Sequence, residues 1–233
     1  MTALPKLRTA LAEIEIAGLA AALDLSGALY LPDEDALVVA DLHFEKGSAY
    51  ARRGSLLPPY DTRETIGTLA SAIERFRPGL VIALGDSFHD IGGPERLGEG
   101  EREAIAILQA GRDWIWVRGN HDHALPPAIG GEVARELAIG DVVLRHEPAA
   151  APARDIAGHL HPVGKVAMRG RSVRRRCFVT DGERCLLPAF GAYAGGLNAC
   201  DPAIRGLFPR GFIAHLIGDH RLFAIGHAML RGD

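Results

Sequence analysis

Apolar residues along the chain fall into short runs, each stopped abruptly by polar or turn-forming residues. Leu23 to Tyr30 and Ala36 to Ala40 read as two strands joined by Pro32-Asp33-Glu34-Asp35, a composition that favours a tight reversal. The stretch from Lys46 to Pro59 has no apolar period and reads as a basic loop. Asp61-x-x-Glu64 has the form of a capping box and opens a helix in which Ile66, Leu69, Ala70, Ile73 and Phe76 recur at helical spacing until Pro78 closes it. Leu80 to Leu84 is apolar at every position, as expected of a strand covered on both faces. Glu99 to Gly111 reads as a second helix, and Trp114 to Val117 as a further buried strand whose two tryptophans belong to the core rather than to a stacking platform. Val142 to Leu144 and Ile156-Ala157 are shorter runs of the same kind.

After residue 161 the texture changes. Arg174 to Thr180 and Arg184 to Leu187 flank Asp181-Gly182, and Ile213 to Ile217 and Leu222 to Ile225 flank Gly218-Asp219, so two hairpins are expected. Strands separated by helices imply parallel pairing in a layered α/β fold, with the later hairpins building a second sheet. One domain spanning residues 1–233 accommodates this length.

The polar residues that end the apolar runs carry the chemistry. Asp41-x-His43, Gly85-Asp86, Gly119-Asn120-His121-Asp122, His146 and Gly158-His159-x-His161 each stand at the carboxyl end of an expected strand, where ligands of α/β folds collect. These clusters hold five of the ten histidines. Each alone is as readily a turn or a solvated pair; together, Asp41, His43, Asp86, Asn120, His146, His159 and His161 supply carboxylate and amide oxygen and imidazole nitrogen with no thiolate. That donor set suits two borderline-to-hard divalent ions such as Mn²⁺, Fe or Zn²⁺. A carboxylate shared between two ions makes the clamp used in phosphoester hydrolysis.

This ordered set, spanning residues 41 to 161, resembles the calcineurin-like metallophosphoesterase superfamily. The resemblance implies a four-layer α/β/β/α sandwich of two mixed sheets flanked by helices. It further implies one ion held by Asp41, His43, Asp86 and His161, a second by Asp86, Asn120, His146 and His159, and His121 as the acid facing the leaving oxygen. Phosphoprotein phosphatases of the superfamily carry G-D-x-x-D-R-G, whose arginine grips a phosphate. Here the segment is Gly85-Asp86-Ser87-Phe88-His89-Asp90, similar to that of the SbcD-like DNA repair nucleases, and His89 and Asp122 are the candidates for orienting His121. Asp41-Leu42-His43-x-x-Lys46, Arg52-Arg53-Gly54, Arg174 to Phe178 and Leu187-Pro188-Ala189-Phe190-Gly191 are similar to the ligase-associated DNA damage response endonuclease (PdeM-like) family. That narrower resemblance implies a nuclease acting on DNA in repair, associated with an ATP-dependent DNA ligase and a helicase.

Charge fits without deciding. The net charge of −3 leaves room for local basic patches. Lys165, Arg169, Arg171, Arg174, Arg175 and Arg176 place six positive charges in twelve residues; alternation along a strand would put some on one face, as a phosphate-binding strip or as a solvated edge. Lys46, Arg52 and Arg53 come directly after a metal cluster. Lys46, Arg52, Arg53, Arg174 and Arg176 are therefore the candidate substrate-binding residues, whereas His123, His215, His220 and His227 lack supporting partners. A small-molecule or nucleotide phosphodiesterase and a non-catalytic DNA-binding adaptor are the alternative functions. Cys177, Cys185 and Cys200 have neither disulfide-framework nor zinc-knuckle spacing, and no stretch approaches the roughly 20 apolar residues of a membrane span, so a cytoplasmic protein with reduced thiols is expected.

Overall fold

The computed structural model describes residues 11–55, 57–121, 125–168 and 170–233. Strands β1 (Leu11–Ile16), β2 (Leu19–Asp24), β3 (Leu29–Leu31), β4 (Ala36–Val39), β5 (Leu80–Leu84), β6 (Asp113–Val117) and β7 (Glu132–Ala134) form the first sheet in sequence order. Pairing is antiparallel from β1 to β4 and parallel from β4 to β7. Helices α1 (Lys46–Arg52), α2 (Asp61–Phe76), α3 (Gly93–Arg96) and α4 (Glu99–Gln109) lie in the connections between the parallel strands.

The second sheet contains β8 (Leu137–Ile139), β9 (Val142–Arg145), β10 (Asp155–Ala157), β12 (Arg171–Thr180), β13 (Cys185–Leu186), β14 (Ile213–Ile217) and β15 (Leu222–Gly226). Its spatial order is β8-β9-β10-β13-β12-β14-β15, and β11 (Val163–Met168) pairs with the outer half of β12. The pairs β9 with β10 and β10 with β13 are parallel; the others are antiparallel.

The continuous apolar strands are explained by burial on two sides. Leu37 and Val39 of β4, Val81 and Ala83 of β5, and Trp114 and Trp116 of β6 pack against Ile66, Leu69 and Ile73 of α2 and Ile105 and Leu108 of α4. The alternate residues, Val38, Ile82, Leu84 and Val117, meet Val142, Leu144, Ile156, Phe178 and Ile217 of the second sheet. Ile82 is fully buried in that layer, and Ile82→Ala removes packing worth about 2–5 kcal/mol. The outer face of the second sheet is covered by α5 (Pro202–Arg205), Phe208, Phe212 and Leu230. The sandwich of two mixed sheets is thus as expected, but its fourth layer is thin, formed among the described residues by the four-residue α5 and by short turns and loops.

Three local expectations are corrected. The run from Leu23 to Tyr30 is two strands: Asp24 is buried, its Oδ1 accepts from Ser26 N at 2.9 Å, and Gly27 takes φ +96°, so the chain reverses there. Lys46 to Arg52 is a helix rather than a loop. Asp61-x-x-Glu64 is no capping box, because the residue before α2 is Tyr60, which makes no side-chain cap. The Asp61 carboxylate instead accepts from Gly47 N at 2.9 Å and so caps α1. Glu45 reinforces that junction: its carboxylate accepts from Thr62 Oγ1 at 3.0 Å and Ser48 Oγ at 2.6 Å. The two sequence-expected hairpins are present, with Thr180 opposite Cys185 and Ile217 opposite Leu222.

Candidate metal centre

The loops after β4, β5, β6, β9 and β10 meet at one edge of the sandwich. Main-chain pairing continues past the strands: Asp41 N donates to Gly85 O at 3.3 Å, His43 N to Asp86 O at 2.9 Å, and Gly158 N to His146 O at 3.1 Å. Side chains then tie these loops together, between the sheets through Asp41 and within the first sheet through Asp86. Asp41 Oδ2 accepts from His159 N at 2.9 Å, and Asp86 Oδ1 accepts from His121 N at 2.9 Å. The loop after β13 closes the edge, with Phe190 N donating to Ala40 O and Gly191 N to Asp41 O.

Five of the seven expected metal-binding residues sit in left-handed backbone: Asp41 (φ 55°), His43 (46°), Asp86 (44°), His159 (68°) and His161 (46°). Each such residue costs of the order of 1–3 kcal/mol, and such strain concentrates where side chains must converge. Gly85 also has positive φ, and it must be glycine for a second reason. A Cβ there would lie 2.5 Å from Cγ and Nδ1 of His146.

The convergence produces two clusters of donors. Asp41, His43 and His161 form one, Asp86, His146 and His159 the other, and within each the donor atoms lie within 4.8 Å of one another. His43 Nε2 is 3.3 Å from His161 Nε2, and His146 Nε2 is 3.2 Å from His159 Nδ1. Asp41 Oδ1 is buried without a hydrogen bond although it lies 3.3 Å from His161 Nε2. Paired imidazole nitrogens and an unsatisfied carboxylate oxygen fit a cation, which accepts several lone pairs at once where a single shared proton serves only one pair.

The electrostatics agree. Burial pushes His43 down to about 3, against the charges of Asp41 and Asp86, so this imidazole stays neutral and its lone pair free. His159 is likewise lowered, by burial and by neighbouring His146. His146 is raised to about 9: burial opposes its charge, but its hydrogen bond to Asp86 and the charges of Asp41 and Asp86 outweigh it. Asp86 is held below the usual carboxylate range, burial again being outweighed by His146 and by the His121 amide. The two carboxylates thus create a demand for positive charge, which a proton on His146 meets and a divalent ion would meet instead.

Residues 36–170 match the family model described as calcineurin-like phosphoesterase. The chain belongs to that family. Comparison with curated proteins finds no match. Among solved structures, the Pseudomonas putida nuclease MPE is similar over 91% of this chain and 100% of its own, at 28% identity and a TM-score of 0.70. The phosphoesterase Yfce of E. coli is similar over 83% of this chain and 98% of its own, at 14% identity and a TM-score of 0.42. The similarity to nuclease MPE runs well beyond the matched family segment, in keeping with the resemblance of the carboxyl-terminal motifs to the PdeM-like group. A calcineurin-like phosphoesterase with two such donor clusters is a metal-dependent hydrolase with a dinuclear divalent site.

Beside the donors lies an open cleft of about 540 Å³ lined by Arg52, Arg53, Ile91, Asn120 and His121 among others. The His121 ring is half-exposed, with Nε2 3.9 Å from Asp86 Oδ2. His89 stacks on it, with ring centroids 5.8 Å apart and planes 13° from parallel. The two rings are thus near-parallel and offset, and burial together with Lys46 lowers the pKa of His89. Asp122 lies outside the described residues, as do His123 and Arg169. A larger cleft of about 740 Å³ includes none of the seven donors; it is lined by Arg154, Asp155, Glu183 and Arg184 among others.

The candidate basic residues divide. Lys46 is half-buried and acts electrostatically on both His43 and His89, which puts its charge at the centre. Arg52 and Arg53 face the cleft. Arg176 is turned inward, its guanidinium donating to Ala189 O at 2.7 Å and more weakly to Phe190 O and Ser26 O, so it secures the loop that closes the site. Arg174 donates to Gly196 O at 2.7 Å and lies 3.7 Å from Asp233 Oδ1. Sequence reasoning missed Glu147, whose Oε1 accepts from Asn120 Nδ2 at 2.6 Å and lies 3.8 Å from His159 Nε2. Its adjacency to His146 was the available signal. It also missed Arg96, which holds Asp90 at 2.8 Å and donates to Ser48 Oγ at 2.8 Å.

Proposed function

We propose that the protein is a nuclease that hydrolyses DNA phosphodiester bonds with two divalent ions, Mn²⁺ foremost. The observation that carries this reading is the composition of the cleft. Arg52, Arg53 and His121 stand beside the donor clusters, while Asp90 occupies the position of the phosphatase arginine and is itself held by Arg96. A carboxylate there disfavours a dianionic monoester end and leaves a monoanionic diester acceptable.

In this reading Asp41, His43, Asp86 and His161 hold one ion and Asp86, Asn120, His146 and His159 the other. When bound, the ions supply Lewis-acid charge for the phosphate and lower the pKa of the attacking water. The remaining work belongs to side chains. Lys46, Arg52 and Arg53 draw in the phosphate backbone, with Arg174 at a more distant position along the strand. Water adds to phosphorus as the P–O bond breaks, and His121 Nε2 gives its proton to the departing oxygen. His89, stacked on His121, keeps that ring at its angle to the cleft. A nuclease of this kind fits DNA repair alongside an ATP-dependent ligase and a helicase, and three unpaired cysteines suit a reducing cytoplasm.

The test offers single-stranded DNA, duplex DNA and bis-p-nitrophenyl phosphate side by side to the protein loaded with Mn²⁺. Cleavage of DNA that chelation abolishes is the expected result. Turnover of the small diester with inert DNA would sink the nuclease reading and leave a small-molecule phosphodiesterase. DNA binding with neither substrate cleaved would leave an adaptor.

A further inference from the structure

We infer that Glu147 is a positioning residue for the second ion, fixing both Asn120 and His159 in the orientation that binding requires. The inference rests on the assignment of Asn120, His146 and His159 to that ion.

Asn120 has two chemically opposite ends, and only Oδ1 can bind a cation. Glu147 decides which end is used. Asn120 Nδ2 donates to Glu147 Oε1 at 2.6 Å, and Oδ1 is left for the ion. The same Oε1 lies 3.8 Å from Nε2 of His159, while Nδ1 of that ring faces His146 Nε2 at 3.2 Å. With Nε2 on the side of the carboxylate, Nδ1 is the ring nitrogen turned towards the donor cluster. One carboxylate therefore selects the donor atom of two side chains.

Glu147 is exposed, and among the described residues no lysine or arginine lies within ion-pair distance of it, so it has no surface salt bridge to explain it. Its main chain is nonetheless held on both sides. His146 before it is buried, with Nδ1 3.0 Å from Leu84 O. Ala149 after it donates to Asp155 Oδ2 and accepts from Arg184 Nη2, each at 2.8 Å, and Asp155 and Arg184 are a buried ion pair. A carboxylate on an anchored backbone is what a positioning role needs, because its own placement costs little entropy when the ion arrives. Of the two histidines in this cluster, His159 is the more exposed and His146 the buried one. Outside support is thus applied where the fold itself gives least.

The test is calorimetric titration of the metal-free protein with Mn²⁺, which needs no substrate. Wild type should take up two ions. Glu147→Ala should weaken one site by about 10–100-fold, the range for losing an outer partner of a metal ligand, and leave the other unchanged. Glu147→Gln should fall between them, since its amide oxygen still accepts from Asn120 Nδ2 without the negative charge. Two unchanged sites in Glu147→Ala would overturn the inference, as would a Gln variant as weak as the Ala variant, which would reduce Glu147 to a source of charge. A wild type that binds a single ion would overturn the two-ion assignment itself, and this inference with it. If the titrations behave as expected and DNA is nonetheless not cleaved, only the nuclease reading fails.

Discussion

Gly85→Ala joins backbone, packing and metal site in one substitution. The residue has φ +72°, and placing an L side chain in left-handed backbone costs about 1–2 kcal/mol. The new Cβ would lie 2.5 Å from Cγ and Nδ1 of His146 and 2.6 Å from its Cβ. His146 is buried and cannot swing into solvent. Forcing a methyl group into such a place costs about 1–3 kcal/mol, and moving the ring off Leu84 O forfeits a hydrogen bond worth about 1 kcal/mol. The sum, about 3–6 kcal/mol, is a large part of the 5–15 kcal/mol typical of a folded domain. Gly18→Ala is the control: φ there is +90°, but nothing lies within 4 Å of the added carbon, so the backbone cost of about 1–2 kcal/mol stands alone. Urea unfolding of the metal-free proteins, followed by circular dichroism, gives both values. If the two variants lose the same stability within about 1 kcal/mol, His146 moves aside freely and the expected clash with a packed ring is refuted.

Other consequences are as direct. His121→Gln should bind two ions as wild type does and lose DNA cleavage by about 10²–10⁴-fold, read from metal titration and single-turnover rates. Replacing Lys46, Arg52 and Arg53 by alanine, one at a time, should flatten the salt dependence of single-stranded DNA binding; the slope of log affinity against log salt changes by about 0.7 for each phosphate no longer neutralised. An unchanged slope would place the backbone elsewhere. Asp155→Ala strands the buried Arg184 guanidinium and should cost about 3–5 kcal/mol in denaturant unfolding. Arg154→Ala, which breaks only exposed pairs with Asp141 and Glu183, should cost about 1 kcal/mol or less.

The parts of the molecule legible from sequence are those where one physical demand dominates. Leu80 to Leu84 had to be a strand covered on both faces, and Asp61 to Phe76 a helix with one apolar stripe. The convergence of Asp41, His43, Asp86, His146, His159 and His161 could be read because each follows the end of an apolar strand. Where two demands compete, the sequence misled. Leu23 to Tyr30 is apolar enough for one strand, yet the buried Asp24 and the turn at Gly27 divide it. Lys46 to Arg52 lacks a helical stripe because α1 is fixed largely by polar means, Asp61 capping it and Glu45 joining it to Thr62. Arg176 looked like part of a basic strip, and only the fold shows that its guanidinium faces the carbonyls of Ala189 and Phe190. Left-handed backbone at five donor residues leaves no trace in composition at all.

In the proposed reading one carboxylate, Asp86, would be shared by the two ions of the unit that cleaves DNA. That sharing is tested most directly by counting Mn²⁺ bound to Asp86→Asn by equilibrium dialysis and assaying DNA cleavage by the same preparation. Loss of tight binding at both positions together with loss of cleavage is the predicted result. A variant that still holds two ions and cuts DNA at the wild-type rate would contradict the account.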